Sequence, residues 1–290
     1  MKSIGFLSST SDDRSFKEHL GAFSAGLKKS GYVDGENVKV IFKWARGDFA
    51  SLRKLADELV DAKVDVIATT GGAVAALAAV KATQKIPVLF ISGVDPGKAG
   101  LLKSRNATGV DVFSTASQPE RLSRLQQLVP GVKKVAVLLR PGTFVYEEEK
   151  KVAKKAGLMV VEACDEGEIG VAFATAKKNG AGGIIICANP YFTSQYTKVT
   201  KIAKESGLPN AYVWRQFPED GGLMSFGPIL SDAYTTIGEY SGAILNGSSP
   251  ASLPVKTFGV SDFKLVINDT ASKRLKLTIP KTWRGIAEII

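Results

Sequence analysis

The chain has 290 residues, of which 44% are hydrophobic and 23% are charged, the composition of an ordinary globular protein. Its formal net charge of +10 is spread over helix faces, and no run alternates aromatic with basic residues as a nucleic-acid platform would. No apolar run approaches the ~20 residues that cross a bilayer. One histidine, His19, and two cysteines exclude a histidine-based metal site and a disulfide framework.

The first 113 residues alternate apolar strands with one-sided helices. The segment IGFLSS (4–9) predicts a strand. A helix follows, capped by Asp12 or Asp13 and ended by Gly31, because apolar residues recur at 4-3-4 spacing at Phe16, Leu20, Phe23 and Leu27. Further strands are predicted at VKVIFKWA (38–45), VDVIATT (64–70), PVLFISG (87–93) and near ATGVDVF (107–113). Continuous apolar strands between helices indicate a parallel sheet covered on both faces.

From Ser114 the same scheme begins again. The helix SQPERLSRLQQLVPG (117–131) is predicted to bury Leu122, Leu125 and Leu128, and the strand KVAVLLRP (134–141) follows. After Arg215 the pattern changes to a strand at 221–227, a helix at 230–247 and a strand at 263–269. We therefore predict an α/β protein of two lobes with junctions near Phe113 and Phe217. The first lobe takes residues 1–113 and about 221–258, the second takes 114–220, and 259–290 form a third crossover and a C-terminal segment.

Small polar residues stand where the predicted strands end. In open parallel sheets, ligands bind beyond the carboxyl ends of the strands. In TTGGAV (69–74), the N–H groups of Gly71 and Gly72 also open a helix, which suits a neutral or anionic ligand group. The candidate ligand-binding residues are Ser8, Ser9, Thr70, Gly71, Gly72, Ser92 and Asp95 in the first half, and Arg140, Asn189, Tyr191, Trp214, Arg215 and Phe226 in the second.

The same residues argue against catalysis and against a cofactor. TTGGAV lacks the lysine of a phosphate loop, no G-x-G-x-x-G follows a strand, and there is no G-x-S-x-G elbow. His19 is predicted to be a surface residue. A two-thiol racemase needs one cysteine on each side of its substrate, whereas Cys164 and Cys187 both fall in the second half, so they are predicted to be small buried residues. Asp95 either caps a turn or reaches the ligand, and Asp165 is predicted to cap a helix.

The chain resembles the solute-binding components of bacterial ABC transporters, in the group that includes tryptophan- and tyrosine-associated binding proteins. The resemblance runs from Lys2 to Ile290 and is carried by the order and spacing of several segments. These include GLKKSGYVDGENV, VDVIATTGG, IPVLFISGVDPGKAGL, RLSRLQQLVPGVKKVAVLL and GLMSFGPILSDAYTTIGEYSGAILNG.

The resemblance implies two Rossmann-like lobes, joined by three crossing segments, that close on a small ligand. It also implies an ABC permease and its ATPase as partners. The implied location is periplasmic, or outside the membrane on a lipid anchor. Met1 is then either a natural start or the replacement of a removed leader, and we expect a monomer. The alternatives are a two-lobed α/β enzyme of racemase or glycosyltransferase type, or the ligand-binding core of a transcription regulator. No helix-turn-helix segment precedes Ile4, which argues against the regulator.

The ligand is expected to be an aromatic or related carboxylate, or an aromatic amino acid. In relatives that bind aromatic amino acids, the resemblance places an aspartate where this chain has Asn189, and asparagine offers no charge to an ammonium group. Arg215 and Arg140 are suited to binding a carboxylate. The expected aromatic walls are Tyr191, Trp214, Phe217 and Phe226. These residues favour the organic acid, although Asp95 could bind an ammonium group.

Overall fold

The chain folds into two compact α/β units, described by a computed structural model that covers residues 1–10, 14–143 and 145–290, with the backbone alone for 14–16 and 18. Unit 1 comprises residues 1–113 and 229–259, and unit 2 comprises 114–228 and 260–290. The chain therefore passes from one unit to the other after Phe113, Pro228 and Gly259. None of the described helices has both the length and the apolar character needed to cross a bilayer.

Unit 1 is built around one parallel sheet of six strands. Its order is β11-β5-β4-β3-β1-β2, with β1 (Lys2–Ser8), β2 (Val38–Trp44), β3 (Val66–Thr70), β4 (Val88–Ser92), β5 (Ala107–Asp111) and β11 (Lys256–Thr257). Its helices are α1 (Arg14–Lys29), α2 (Leu52–Asp61), α3 (Ala73–Ala82) and α10 (Leu230–Leu245). Every residue of β3 and β4 is buried, as expected for parallel strands covered on both faces. The capping role expected of Asp12 or Asp13 lies outside the described residues.

Unit 2 is built around a sheet of seven strands. Its order is β13-β12-β10-β9-β8-β6-β7, with β6 (Val135–Leu139), β7 (Met159–Glu162), β8 (Gly183–Ile186), β9 (Asn210–Tyr212), β10 (Met224–Pro228), β12 (Phe263–Ile267) and β13 (Ala287–Ile289). Its helices are α4 (Gln118–Leu128), α5 (Tyr146–Lys155), α6 (Glu166–Lys178), α7 (Pro190–Ser194), α8 (Tyr196–Ser206), α9 (Gln216–Glu219) and α11 (Asp269–Arg274). The strands are parallel except that β10 and β12 run antiparallel.

The second junction lies later in the chain than the sequence pattern predicts. The segment about 221–258 was expected in the first lobe, but β10 pairs with β9 and with β12, so Met224–Pro228 belong to the sheet of unit 2. Phe217 lies within unit 2, where its buried ring stacks on Tyr212 at 4.4 Å between centroids. Residues 260–290 also belong to unit 2, because β12 and β13 extend its sheet.

The buried face of α4 is more polar than its leucine spacing predicts. Leu125 and Leu128 are buried, but Leu122 is only half-buried. The remaining buried positions of this helix are Gln118 and Arg121. Buried residues therefore recur at 3-4-3 spacing from Gln118 to Leu128, and an arginine occupies the place expected for a leucine.

In unit 1, α1 and α10 pack at close range because glycines lie at their contact. A Cβ atom on Gly26 would stand 2.1 Å from the carbonyl oxygen of Thr235, and one on Gly238 would stand 2.1 Å from that of Phe23. Both obstacles are backbone atoms, which cannot rotate away. Gly21, on the same helix as Gly26, is exposed and would meet nothing within 4 Å.

The substitution Gly26→Ala should therefore lower the free energy of unfolding by about 3 kcal/mol or more, because the helices must move apart. Gly21→Ala is the matched control and should raise it by up to about 1 kcal/mol, since alanine is the better helix former. Urea unfolding followed by circular dichroism measures both. Equal effects of the two substitutions would contradict the close approach.

The two cysteines are free and differ in exposure. The strands that precede them, β7 and β8, lie on either side of β6. These two strands are therefore about 10 Å apart, which is two strand spacings. This exceeds the ~7 Å limit between Cα atoms for a disulfide. Cys187 is buried as predicted, whereas Cys164 is exposed, because it lies beyond the end of β7.

Thiol titration of the unfolded, unreduced protein should count two thiols. In the folded protein Cys164 should react because its thiol is exposed, while Cys187 should react only on unfolding. The variant Cys164→Ser should remove the reaction of the folded protein alone. A count of zero in the unfolded protein would contradict the strand order.

Candidate functional site

The carboxyl edge of the unit 1 sheet places an aromatic ring and two hydroxyl groups in one row. Ser8, the last residue of β1, is in register with Trp44 on one side and with Thr70 on the other. Residues in register on neighbouring parallel strands point to the same face of the sheet. The half-buried Trp44 ring also stacks on Phe42 at 5.9 Å. Sequence reasoning missed Trp44, although its place at the end of an apolar strand is visible in the sequence.

Ser9 and Gly71 hold the loop at this edge in a tight conformation. The Ser9 hydroxyl donates to the carbonyl oxygen of Gly71 at 2.6 Å, and the Ser9 N–H donates to that of Thr70 at 3.3 Å. Gly71 has φ +77°, and a Cβ there would stand 2.3 Å from the Ser9 hydroxyl oxygen, so this position requires glycine. Gly72 precedes α3 with φ +91°, and the loop directs the chain into that helix.

Among the polar groups of this edge, the Thr70 hydroxyl is buried and has no hydrogen-bond partner within the described part of the chain. Its neighbour Thr69 donates to the carbonyl oxygen of Leu89 at 3.0 Å, and the Ser8 hydroxyl lies 3.0 Å from that of Thr10. A buried hydroxyl without a partner costs about 1–3 kcal/mol. At this edge, the Thr70 hydroxyl is therefore the group that would gain most from a hydrogen bond to a ligand.

Ser92 and Asp95 serve the turn that follows β4. The Ser92 hydroxyl donates to the carbonyl oxygen of Val94 at 2.6 Å. The exposed Asp95 carboxylate accepts from the N–H groups of Gly97 at 2.8 Å and Lys98 at 3.0 Å. Of the two roles that the sequence left open for Asp95, this geometry is that of the cap.

In unit 2, Asn189 is the buried polar residue of the corresponding edge. It lies just beyond β8 and caps α7, its side-chain oxygen accepting from the Tyr191 N–H at 2.9 Å. Its side-chain amide nitrogen is buried and has no partner among the described residues. Nearby, Arg140 donates to the carbonyl oxygen of Cys164 at 3.1 Å and lies 4.4 Å from the centre of the Tyr191 ring. Arg140 thus already stacks on an aromatic face, a cation–π contact.

Two other predicted residues of unit 2 make structural contacts instead. Arg215 pairs with Glu219 at 2.7 Å and with both carboxylate oxygens of Glu288 at 3.0 and 3.3 Å, so its guanidinium already binds two carboxylates. Phe226 is buried against Phe263, at 5.4 Å between ring centres. Trp214 is half-buried beside Arg215. Arg215 and Phe226 therefore have partners within unit 2, and a ligand-binding role for either residue stays a prediction.

Sequence reasoning also missed a buried polar cluster in unit 2, which we call the α4–α5 cluster and define as Gln118, Arg121, Glu149 and Cys187. Arg121 is fully buried, and its two terminal nitrogens donate to the Ser117 hydroxyl at 2.8 Å and to the Ser114 carbonyl oxygen at 2.6 Å. The Glu149 carboxyl is buried in the same cluster, where the Cys187 thiol and the Arg121 charge both act on its pKa. The sequence signal for this cluster is the 3-4-3 spacing of the buried positions of α4, two of which are Gln118 and Arg121.

Burial controls the charges of this cluster. It raises the pKa of Glu149 to about 7, against the opposing effects of the Cys187 thiol and the Arg121 charge. It lowers the pKa of Arg121 to about 10, so the guanidinium remains charged at neutral pH. Burial also raises the pKa of the Cys187 thiol. Among the described residues, no group of three or more histidine, cysteine or acidic side chains could hold a metal ion.

Comparison with known proteins identifies the family. Residues 5–287 match the family model for ABC transporter substrate binding proteins. The tyrosine-binding protein of Clostridioides difficile is 27% identical over 95% of this chain and 81% of its own length.

Two crystal structures are similar over nearly their whole length. One is an ABC domain from Streptococcus pneumoniae in complex with L-Trp, 26% identical, with a TM-score of 0.87 over 100% of this chain and 99% of the other. The other is a conserved domain protein from Vibrio cholerae, 25% identical, with a TM-score of 0.88 over 99% of both chains. The chain belongs to the ABC transporter substrate-binding proteins, and it is a solute-binding protein, not an enzyme. Its function therefore involves a small-molecule ligand and the membrane components of an ABC transporter.

The ionisation of Glu149 should make the stability of the fold depend on pH. Because the pKa of this carboxyl is higher in the folded chain, about 7, than its ordinary value of 4.5, the folded state keeps the proton that the unfolded state has lost. The free energy of unfolding should therefore fall by about 3 kcal/mol as pH rises from 4.5 to 7, and stay low above it. Other carboxylates add their own pH dependence, so the quantity to measure is the difference between wild type and Glu149→Gln in urea unfolding at each pH. As a control, the exposed Glu147→Gln should have the same pH dependence of the free energy of unfolding as wild type. If wild type and Glu149→Gln gave parallel curves of this free energy against pH, the burial of a titrating carboxyl would be contradicted.

Proposed function

We propose that this chain binds one aromatic amino acid of the size of tyrosine or tryptophan and delivers it to the permease and ATPase of an ABC importer. The observation that carries the proposal is the pair of buried, unpartnered polar groups at the carboxyl edges of the two sheets, the Thr70 hydroxyl and the Asn189 amide. A ligand that offers a hydrogen bond to either group removes the cost of leaving it without a partner.

The unit 1 edge supports an aromatic ligand with a polar head. Trp44 lies in the same row as Ser8 and Thr70, so a ligand that reaches the hydroxyls lies beside an indole ring. The relatives point in the same direction, since one is named for tyrosine and another was crystallised with L-Trp.

An aromatic carboxylate without an amino group is the second candidate. Asn189 favours it, because an amide offers hydrogen bonds but no negative charge to a ligand's ammonium group. The contacts of Arg215 argue against this second candidate, because the guanidinium already pairs with Glu219 and Glu288.

We further propose that the chain works as a monomer outside the cytoplasmic membrane, in the periplasm or on a lipid anchor, and binds no nucleic acid. Membership of the family supports the location. The positive charge is scattered over helix faces and is not interleaved with aromatic side chains, which supports the absence of a nucleic-acid partner.

The substitution Thr70→Val should weaken ligand binding by roughly tenfold, because it removes the hydroxyl and keeps the shape of the side chain. Isothermal titration calorimetry with L-tyrosine and L-tryptophan, each beside its deaminated analogue, measures the effect and ranks the two ligand classes. Arg215→Met is the control and should leave the affinity within about twofold. A larger loss for Arg215→Met than for Thr70→Val would overturn this assignment of the site, and tighter binding of the deaminated acids would favour the second candidate.

The sequence-based expectation that the lobes close on their ligand stays a prediction. The resemblance to solute-binding proteins implies lobes that close on a ligand, so binding should shift the population towards a closed form. Small-angle X-ray scattering should show a smaller radius of gyration with saturating ligand than without. An unchanged radius in the presence of a ligand that calorimetry shows to bind would contradict closure.

A further inference from the structure

Both Asn-Gly pairs of the chain lie at the end of a helix. Asn179-Gly180 follows α6 in unit 2, and Asn246-Gly247 follows α10 in unit 1. An asparagine side-chain amide can be attacked by the backbone nitrogen of the next residue, and glycine hinders this approach least because it has no side chain. These two pairs are therefore the positions at which the chain is most open to the loss of an amide group.

The backbone has nearly the same conformation at both pairs. Asn179 has φ −87° and ψ 12°, and Asn246 has φ −85° and ψ 7°. Each following glycine has a positive φ, 81° at Gly180 and 97° at Gly247. Each also donates its N–H to a carbonyl oxygen of the preceding helix, at 3.0 Å and 2.9 Å respectively. The attacking nitrogen is thus held in the last helical turn at both pairs, and the reaction requires that turn to open.

The two asparagine side chains are held differently. The Tyr32 hydroxyl donates to the Asn246 side-chain oxygen at 3.0 Å, and the Asn246 side-chain nitrogen donates to the Ser30 carbonyl oxygen at 3.4 Å. Both partners follow α1, the helix on which α10 packs. The Asn179 side chain makes no hydrogen bond to any residue that the structure describes, although its backbone carbonyl oxygen accepts from the Lys134 ammonium group at 2.9 Å. Reaction at Asn246 therefore requires the loss of two side-chain bonds that Asn179 does not have.

The last turns of the two helices also differ in burial. Residues 177–180, at the end of α6, are all exposed. At the end of α10, Ile244 and Leu245 are buried, and a Cβ on Gly242 would stand 2.2 Å from the Cβ of Ser30. Opening residues 177–180 uncovers no buried side chain, whereas opening the last turn of α10 exposes two apolar side chains to water. The end of α6 should therefore open at a lower cost in free energy.

We propose that Asn179 is a site of spontaneous deamidation in the folded protein, and that Asn246 is protected by its contacts with Tyr32 and Ser30. When the end of α6 opens, the Gly180 nitrogen forms a bond to the side-chain carbonyl carbon of Asn179 and gives up its proton, and the side-chain nitrogen leaves as ammonia. Water then adds to either carbonyl carbon of the resulting five-membered imide and breaks the bond from that carbon to nitrogen. The product is aspartate or isoaspartate, and the net charge of the chain falls from +10 to +9.

Peptide mapping by mass spectrometry measures both reactions in the full chain, incubated at pH 8 and sampled over several weeks. Asn179 should convert at least about fivefold faster than Asn246, with isoaspartate as the larger product. This ratio corresponds to roughly 1 kcal/mol of opening free energy, which two exposed hydrogen bonds can supply. In urea the two sites should convert at similar rates, because the fold no longer distinguishes them. A ratio near one in the folded protein, no conversion at Asn179, or the same ratio in urea would overturn the proposal.

The variant Tyr32→Phe tests the protection of Asn246, because it removes the hydroxyl and keeps the ring. Asn246 should convert roughly twofold faster than in wild type or more, and the rate at Asn179 should not change. Tyr240→Phe is the matched control in the same unit, since its hydroxyl donates to the Pro254 carbonyl oxygen at 2.8 Å and not to Asn246. It should leave both rates as in wild type. An Asn246 rate that does not respond to Tyr32→Phe would overturn the protective role of this contact.

Discussion

Burial of both faces of a parallel sheet is the constraint on which the rest of this structure depends. The strands of unit 1 that lie between covering helices consist almost wholly of buried residues, so they leave little room for polar side chains along their length. Polar groups accumulate where the strands end, because there the backbone leaves the ladder and turns into a helix. Ser8, Thr70 and Ser92 all occupy such positions.

The same constraint separates groups that stabilise the edges from groups that remain available. Most polar side chains at the carboxyl ends are used locally: Ser9 holds Gly71, Ser92 holds its own turn, and Asp95 caps the residues that follow it. Among the buried polar atoms of the predicted binding residues that the structure describes, the Thr70 hydroxyl and the amide nitrogen of Asn189 are the exceptions. In a solute-binding protein, groups that folding leaves without partners are the natural contacts for a ligand.

Much of this arrangement could be predicted from the sequence, because it follows from local patterns. Continuous apolar strands indicated parallel sheets, and the strand order that places β7 and β8 on either side of β6 followed from the usual order of such a sheet. The strand–glycine–helix pattern of TTGGAV marked Thr70 and Gly71, because only glycine adopts the required positive φ beside Ser9 at no cost.

The remaining features depend on contacts between residues far apart in the chain. Arg215 suited a ligand carboxylate by its position after β9, but its partner Glu288 lies 73 residues away on the last strand, and no local pattern reveals that pair. The strand at 224–228 was assigned to the wrong unit for the same reason, since its neighbour β12 follows a long helix of the other unit. Arg121 was overlooked because a buried arginine breaks the rule by which apolar faces are recognised, and such exceptions occur most often where a protein has a function to perform.

The most direct test of this account is a crystal structure of the chain with the small molecule that co-purifies with it, identified beforehand by native mass spectrometry. The account predicts an aromatic ligand with a polar group within hydrogen-bond distance of the Thr70 hydroxyl oxygen or of the Asn189 side-chain nitrogen. A bound ligand that leaves both groups without partners would contradict it.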